Sequence, residues 1–361
     1  MKILYISPEN TVGLLPIWKK AHEERGNTCE IITLYQSKQF SDNGICLNLP
    51  MINTGLIYRT ARHLYYKIFR NHQGDYRELS GFPPTWTPAG IIDRAYINIR
   101  EKIWKKSIEQ AIVKYNLMDY DIYHLEWGLE FYRNGSFIKQ LKKHNKKIVC
   151  SYHGQDMRTR GVIEPIDKLS DLNITSEFDL LPKHPNIKHL PLPFNVDNVK
   201  KRENNSNQIV ICHAPTNRYY KGSKKIISIC QQIEFENKNI KFILIENKSH
   251  DEVMKIKSQC DIHIDQIGDR GGWGFGMSSL EAMSMGLCCM TQIDKCAPYI
   301  KDHPFIDVNE KNIKAVIEST IQNPDLIQQK KGESLKWVKE NHSYNKVIDR
   351  LYNLYQESGI I

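Results

Sequence analysis

One glycine-rich stretch, GGWGFGMSSLEAM from Gly271 to Met283, decides the fold and the chemistry that the sequence predicts. Glycine residues let backbone amides approach a ligand closely and adopt positive φ. The first turn of a helix presents unpaired N–H groups and the positive end of the helix dipole. A glycine-rich turn that enters a helix therefore suits a phosphate. Glu281, about one turn inside that helix, is placed to accept hydrogen bonds from a ribose diol.

The same letters also fit a purely structural interpretation. Ser278 and Glu281 have the spacing of a capping box, in which the serine caps the helix and the glutamate reaches back to the serine amide. Taken alone, the stretch leaves both interpretations open.

The chain is long enough for two domains. It has 361 residues, of which 40% are hydrophobic and 25% charged, an ordinary composition for a globular protein. A proline-containing segment from 191 to 197 and the polar run 200–208 mark a linker. We expect one domain over 1–194, completed by a C-terminal helix over 343–361, and a second over 195–342, with a cleft between them.

Cysteine usage and hydropathy bear on location. Nine cysteines without a C-x-x-C pair indicate buried thiols in a reducing compartment rather than a disulfide framework or a zinc site. No stretch approaches the about 18 consecutive apolar residues of a membrane-spanning helix, and Met1–Ser7 is too short for the core of a signal peptide. We expect a cytoplasmic protein.

Positive charge is concentrated in one segment. The formal net charge is +9, and ten Lys or Arg against four acids lie between Thr54 and Lys106, interleaved with aromatic residues. This pattern suits an anionic membrane surface, a phosphorylated acceptor or nucleic acid, and the alternative is a solvated helical face beside ordinary core aromatics. No recognised nucleic-acid motif accompanies it, so we predict no nucleic-acid partner. We interpret residues 54–110 as an insertion on the cleft-facing or the membrane-facing side of the first domain; the second alternative implies peripheral contact with an anionic membrane.

Apolar runs alternate with helical patterns, which predicts parallel sheets and an α/β class with two Rossmann-like, doubly wound domains. The predicted strands of the first domain are Lys2–Ser7, Cys29–Tyr35, Asp121–Trp127, Lys147–Tyr152, Leu172–Ser176 and Ile187–Leu192. Those of the second are Ile209–His213, Lys241–Glu246, Ile262–Gln266, Leu287–Thr291 and Pro304–Val308.

Loops that directly follow strands hold the candidate site residues, because open α/β sheets bind ligands at the carboxyl ends of their strands. Gly13 would let an acceptor approach the backbone, or forms an ordinary turn. His153 and Asp156 offer hydrogen-bonding groups, with Asp156 as a helix cap the alternative. Arg218 and Lys221 offer a planar fork and a point charge for a diphosphate, or form a solvated basic loop.

The ordered motifs resemble a known family. Residues 274–286, with Lys221-Gly222, the turn from His153 to Asp156 and the linker Pro191–Asp197, are similar in kind and order to the GT-B, family 4 type of retaining glycosyltransferases. The resemblance covers the second domain well, and the first at its sheet edges and the His153 turn. It implies a GT-B fold.

The resemblance also implies residue roles. Glu281 would bind the nucleotide ribose, the backbone amides near Gly276 would hold the diphosphate or donor sugar, and Lys221 would bind phosphate with help from Arg218. His153 would lie across the cleft beside the reacting centre. The implied catalytic residues are His153, Lys221 and Arg218; the donor-binding residues are Gly274, Phe275, Gly276, Met277, Ser278, Glu281, Trp273, Asn217 and Asp265; the acceptor residues are Gly13 and Asp156.

Two positions depart from the family pattern. Trp273 stands where the family has its first glutamate, and it cannot accept a hydrogen bond from a sugar hydroxyl. Thr216 stands where a basic residue is usual. Either Asp265 or Asp269 takes the missing role, or the donor sugar binds in a different pose.

These patterns favour a glycosyltransferase that moves a sugar from a UDP- or GDP-type donor to a glycan, lipid-linked or protein acceptor, in cell-surface polysaccharide or glycoconjugate synthesis. The resemblance implies retention of configuration. We expect no cofactor and no metal site, because cationic side chains and a helix N-terminus can stabilise the leaving diphosphate. The alternatives are a GT-B sugar-nucleotide epimerase and a catalytically silent partner subunit that binds a nucleotide sugar.

Overall fold

The computed structural model describes residues 1–10, 13–37, 44–51, 60, 64, 78–88, 90–196 and 208–361. These residues form two compact units, and we call Met1–Leu190 with Ile348–Ile361 unit 1, and Pro191–Val347 unit 2. The basic residues Arg59, Arg62, Lys67 and Arg70 of the predicted insertion lie outside the described residues.

Unit 1 is built on one parallel sheet with the strand order β3-β2-β1-β4-β5-β6-β7. Successive strands run outward from β1 in one direction and from β4 in the other, so the order reverses between β1 and β4. The strands are β1 Lys2–Ser7, β2 Thr28–Thr33, β3 Ile45–Cys46, β4 Ile122–Glu126, β5 Lys147–Tyr152, β6 Leu172–Thr175 and β7 Ile187–His189. Their carboxyl ends lie at one edge of the sheet, where such folds bind ligands.

Helices connect these strands. They are α1 Leu14–Glu23, α2 Ile91–Lys114, α3 Ser136–Lys143 and α4 Glu164–Asp167, with a π-helical turn over Asp156–Arg160 and a 3₁₀ segment over Phe178–Lys183. Helix α2 extends the predicted insertion past residue 110 and packs against the core of unit 1 through Trp104 and Ile108, which are buried. Trp104 belongs to the hydrophobic core of this unit.

Unit 2 is built on a second parallel sheet with the order β12-β11-β10-β8-β9, which reverses between β8 and β10. The strands are β8 Ile209–His213, β9 Ile240–Leu244, β10 Ile262–Ile264, β11 Cys288–Thr291 and β12 Ile306–Asp307. The helices are α5 Arg218–Lys221, α6 Ser223–Glu236, α7 His250–Lys257, α8 Met277–Ser284, α9 Ile313–Ile321, α10 Pro324–His342 and α11 Tyr344–Glu357, with a 3₁₀ turn over Asp294–Cys296.

Several strand ends differ from the sequence prediction. Strand β7 ends at His189 rather than Leu192, since Pro191 and Pro193 have no N–H to donate to a ladder. Strand β10 ends at Ile264, so Asp265 lies just beyond it. The short β3 was not predicted, because a two-residue strand shows no periodicity.

The cysteines and helices of the described chain can be compared with the predictions. All nine cysteines lie within it as free thiols; eight are buried and Cys46 is half-buried. None of the described helices is long and apolar enough to cross a membrane.

Candidate functional site

The site in unit 2 begins at the glycine-rich turn between β10 and α8. Gly274 has a φ of 81° and its carbonyl accepts a hydrogen bond from the Thr291 hydroxyl at 2.7 Å. A Cβ atom at Gly274 would stand 2.6 Å from Sγ of Cys296. At Gly276, by contrast, a Cβ would meet no described atom within 4 Å. The first of these glycines is therefore required by packing, and the second leaves open space at the start of α8.

Glu281 does not form a capping box, so that interpretation is wrong. The cap of α8 is Gly276, with no side-chain cap bond. Glu281 instead accepts a hydrogen bond from Nζ of Lys257 at 2.6 Å and faces Nε2 of His250 at 2.9 Å. The backbone at Gly276 leaves Ser278 inside the helix, where its hydroxyl accepts a bond from Lys257 at 2.9 Å.

Lys257 holds this part of the site together. Its side chain is only 1% exposed, and its ammonium group contacts Glu281 as well as the carbonyl of Ser278 at 3.1 Å. Burial opposes ionisation of Glu281, but the bonds from His250 and Lys257 outweigh it and lower the pKa of Glu281 to about 2. Glu281 is therefore an ionised, fixed acceptor at neutral pH. The sequence showed nothing to link Lys257 with Glu281, since they lie on separate helices.

Lys221 lies where the order of the second sheet reverses. It follows β8, whereas its partner Asp265 follows β10, and the Lys221 Nζ lies 2.6 Å from Oδ1 of Asp265 and 3.1 Å from Oε1 of Gln266. The second oxygen of Asp265 accepts a bond from the Ser279 hydroxyl at 2.8 Å. Gly222, at the end of α5, has a left-handed backbone and lies close to the Ile267 carbonyl. This close approach fixes the position of Lys221.

The charge state of Asp265 follows from these contacts. Its side chain is 1% exposed, and burial alone would raise its pKa. Lys221 and Ser279 nevertheless hold the pKa of Asp265 well below its usual range. Both oxygens of Asp265 have protein partners, and Asp269 is paired with Lys295 at 2.5 Å. That one of these carboxylates takes the role of the missing glutamate stays a prediction.

Three other predicted site residues contact neighbouring residues of unit 2. Arg218 makes a two-pronged ion pair with Glu246, through Nε at 2.7 Å and through Nη2, and its side chain is exposed. Asn217 caps α5 by accepting a bond from the Tyr219 amide at 2.9 Å. The Trp273 ring lies 5.4 Å from Nζ of Lys295, a cation–π contact.

Phe275 and Met277 complete the predicted set. The Phe275 ring stacks on Phe305 with centroids 4.7 Å apart and meets Trp337 edge-on. Phe275 thus anchors the turn to an aromatic cluster, and Met277 begins α8.

In unit 1, the turn after β5 is held by two carboxylates. Nε2 of His153 lies 2.5 Å from Oε2 of Glu126, at the end of β4. The His153 amide donates to both oxygens of Asp156, at 3.0 and 2.8 Å. Asp156 lies inside the π-helical turn rather than capping it, because its carboxylate folds back to this amide. Gly13 has a φ of 72° and precedes α1, as a turn glycine would.

The Glu126 contact decides the protonation state of His153. Burial lowers the pKa of the imidazole, but the charge and hydrogen bond of Glu126 outweigh it and raise the pKa of His153 to about 9. His153 is therefore a cation at neutral pH. The sequence did not identify Glu126, although a glutamate at a strand end was the available signal.

Comparison with known proteins gives the fold. No family model and no curated protein matches the chain. A glycosyltransferase from Rickettsia africae matches with 13% identity and a TM-score of 0.57, over 99% of this chain and 98% of that one. Anabaena HepE in complex with UDP matches with 10% identity and a TM-score of 0.58, over 99% of this chain and 100% of that one.

A third solved structure matches as well. The N-terminal domain of Candida albicans trehalose-6-phosphate phosphatase has 10% identity and a TM-score of 0.62, over 98% of this chain and 96% of that one. At such low identity these likenesses establish the fold alone. The predicted α/β class of GT-B type is confirmed by the two parallel sheets and by these neighbours.

A first prediction concerns His153. Its folded pKa of about 9 exceeds the ordinary histidine value of 6.5, so its contribution to stability is fully present below pH 6.5 and is lost as the pH rises through about 9. We expect NMR titration to give a pKa near 9. The destabilisation by His153→Gln should shrink by up to about 3 kcal/mol between pH 6 and pH 10 in urea unfolding. The exposed His144→Gln controls for loss of an imidazole; an unchanged difference contradicts the pairing.

A second prediction concerns the glycine turn. Gly274→Ala should lower the free energy of unfolding by about 1–3 kcal/mol, because the new methyl group meets Cys296 and the φ is left-handed. Gly276→Ala is the matched control two residues away, with open space and an extended backbone, and should cost less than about 1 kcal/mol. Urea unfolding measures both. Equal losses would mean that crowding does not set the requirement for Gly274.

Proposed function

We propose that the chain is a glycosyltransferase that moves a sugar from a UDP- or GDP-type nucleotide sugar to a glycan, lipid-linked or protein acceptor. The observation that carries this proposal is the Lys221–Asp265 ion pair, which lies at the reversal point of the second sheet. Ligands of open α/β sheets bind at this point. A lysine fixed there, beside a glycine-rich turn and a helix N-terminus, suits a diphosphate.

Lys221 has the capacity to bind a phosphate without losing its partners. An ammonium group has three N–H donors, and two of them face Asp265 and Gln266. The third is available to a phosphate oxygen. The amides at the start of α8 supply further donors in the same unit. The open space at Gly276 leaves room there for the ligand. In this proposal Arg218 assists, since its bonds to Glu246 use two of its five N–H donors.

Glu281 is proposed to bind the ribose. Its carboxylate is ionised and held by Lys257 and His250, yet a carboxylate offers about four lone-pair sites. Two sites therefore stay available for the diol hydroxyls. His250 is half exposed, so a ligand can also take its place on Glu281.

The proposed reaction needs no protein nucleophile. The bond between the anomeric carbon and the phosphate oxygen breaks while the acceptor oxygen binds that carbon on the same face. The acceptor proton passes to a donor phosphate oxygen. Lys221, Arg218 and the N-terminus of α8 stabilise the leaving diphosphate, which is why we propose metal-independent transfer. Retention, the role of His153 at the reacting centre and those of Gly13 and Asp156 toward the acceptor are parts of this proposal.

The comparisons support a nucleotide sugar as the donor. The HepE structure was solved with UDP, and its fold matches this chain over its full length. On that basis we favour UDP over GDP in the proposed donor. A place in cell-surface polysaccharide or glycoconjugate synthesis is a further part of the proposal.

A catalytically silent partner subunit is the second candidate, because Trp273 replaces the family's first glutamate and its ring lies under Lys295. Incubating the purified chain with a panel of nucleotide sugars, with and without acceptor extracts, separates the candidates. Acceptor-dependent release of nucleotide supports transfer. Release of an epimerised donor without acceptor indicates an epimerase, and binding without turnover across the panel indicates the silent partner.

A third prediction tests the ribose and phosphate contacts. Lys221→Ala and Glu281→Ala should each weaken nucleotide diphosphate binding by about 1.5–3 kcal/mol, as calorimetry measures. Glu281→Ala also leaves Lys257 buried without a counter-charge, which is expected to destabilise unit 2 by about 3–5 kcal/mol.

The paired variant Lys257→Met with Glu281→Gln separates binding from folding. It removes both buried charges, so it should recover much of the stability while nucleotide binding stays weak. Normal nucleotide affinity in the folded paired variant would contradict the role of Glu281.

A fourth prediction concerns membrane association, which we propose for the basic segment. Neutralising Arg59, Arg62, Lys67 and Arg70 should abolish salt-dependent binding to vesicles that contain phosphatidylserine, at about 1 kcal/mol per basic residue. Co-sedimentation measures this binding, and neutralising the exposed Lys301, Lys311, Lys336 and Lys339 of unit 2 provides a control with the same change of charge. Equal binding to neutral vesicles contradicts the proposal.

A further inference from the structure

Unit 1 contains a cavity of about 230 Å³ at the carboxyl ends of its strands. Its walls include Pro8 after β1, Tyr35 after β2, Trp127 after β4 and Asp156 after β5. The cavity therefore lies where the order of this sheet reverses, between β1 and β4, which is the ligand-binding position of an open α/β sheet. Its size, below the about 300–1,000 Å³ of sites for drug-sized ligands, suits one small charged group or sugar.

Three arginines, Arg100, Arg133 and Arg160, line this cavity against two carboxyl groups, Glu130 and Asp156. Burial raises the pKa of Glu130 to about 8, so this carboxyl is largely neutral at pH 7. The oxygens of Asp156 accept bonds from backbone amides of its own turn. The walls thus carry an excess of positive charge.

Arg100 shows most directly that the cavity is built for a ligand. It comes from α2, is 7% exposed, and its guanidinium lies 4.4 Å over the Trp104 ring. Its Nε is buried and has no hydrogen-bond partner among the described residues. A buried charged donor without an acceptor is costly, and native structures rarely leave one unmatched.

Arg160 is held by neutral groups. Its Nη2 donates to the Trp127 carbonyl at 2.5 Å, and its Nε donates to the Gly161 carbonyl at 3.0 Å. These contacts orient the guanidinium, and the charge of the Asp156 carboxylate partly offsets the lowering of its pKa by burial. Arg158, two residues earlier, is paired with both Asp179 and Glu177.

Trp127 is itself strained in this position. Its φ of 63° is unusual for a bulky residue, and its carbonyl receives the Arg160 bond. Such strain concentrates at binding sites, where the surrounding structure maintains it. The Trp127 and Trp104 side chains also give the cavity an aromatic wall beside its cations.

We propose that this cavity binds the anionic group of a small ligand, a phosphate or a carboxylate, with Arg100 and Arg160 as its charge partners and Trp104 and Trp127 beside the attached sugar. The identification of that ligand as the acceptor rests on the proposed function, whereas the anion site does not. The acceptor would then be an acidic or a phosphorylated sugar.

The test uses the full chain and three probes: glucuronate, glucose 1-phosphate and the uncharged methyl glucoside. Titration calorimetry and the fluorescence of the cavity tryptophans report binding at millimolar concentration. We expect one or both charged probes to bind more tightly than methyl glucoside, and their affinity to fall as the salt concentration rises. Binding of glucuronate alone indicates a carboxylate ligand, and binding of glucose 1-phosphate alone a phosphate.

Variants assign the binding to this cavity. Arg100→Met should weaken the charged probes about tenfold or more, whereas Arg94→Met, exposed on the same helix, should leave them unchanged. Arg160→Met serves the same purpose if Arg100→Met does not fold. Equal affinity for the neutral probe, failure of both charged probes to bind, or unchanged affinity in folded Arg100→Met or Arg160→Met overturns the proposal.

Titrations of the same variants with UDP and GDP distinguish failure of the proposed function from failure of the proposed anion site. We expect Arg100→Met to bind nucleotide as the unmodified chain does, because its contacts lie in unit 1 and those proposed for nucleotide in unit 2. Absence of nucleotide binding together with intact probe binding would overturn the proposed function and leave the anion site standing. The converse result would overturn the anion site alone.

Discussion

The ion pair between Lys221 and Asp265 is the constraint on which the proposed donor site depends. Taking a lysine and an aspartate out of water costs several kcal/mol per ion, and the pair recovers this only with good geometry and further hydrogen bonds. Here Gln266 and Ser279 supply those bonds. The interaction joins the end of β8, the end of β10 and the first turn of α8, three elements distant in sequence. Its main effect is to fix one arrangement of them.

A second buried pair applies the same physics to the other side of α8. Lys257, at the end of α7, contacts both Ser278 and Glu281. Polar residues in the first turns of α8 therefore bind charged partners on other elements instead of capping their own helix. The amides at the start of α8 receive no side-chain cap, and a Cβ at Gly276 would meet no described atom within 4 Å. A capping box would have filled that position and removed the donors that a phosphate needs.

Sequence reasoning predicted the α/β class and the parallel sheets, because alternating apolar runs report directly on buried strands. It also placed Lys221 after its strand, but it put Asp265 inside the predicted strand Ile262–Gln266, whereas β10 ends at Ile264. It did not identify Lys257 as the partner of Glu281 or Glu126 as the partner of His153, because only tertiary contact brings these pairs together. The choice between capping box and ligand contact depended on the backbone at Gly276, which the residue letters do not determine. Arg100 was counted only as one charge in a basic segment, whereas the fold buries it.

The buried lysines of the proposed donor site and the arginines of the cavity in unit 1 are held in different ways, and the residue types fit the difference. In unit 2, Lys221 and Lys257 each contact a buried carboxylate. An ammonium is a compact, strongly hydrated charge, so it needs such a partner when buried. In unit 1, Arg100 stacks on Trp104 and Arg160 binds carbonyls. A guanidinium is delocalised and weakly hydrated, so ring faces and carbonyls can hold it while its charge stays available. In the proposed anion site these guanidinium groups therefore keep N–H donors for an incoming anion, whereas in the proposed donor site a phosphate takes the donor that Asp265 and Gln266 leave free on Lys221.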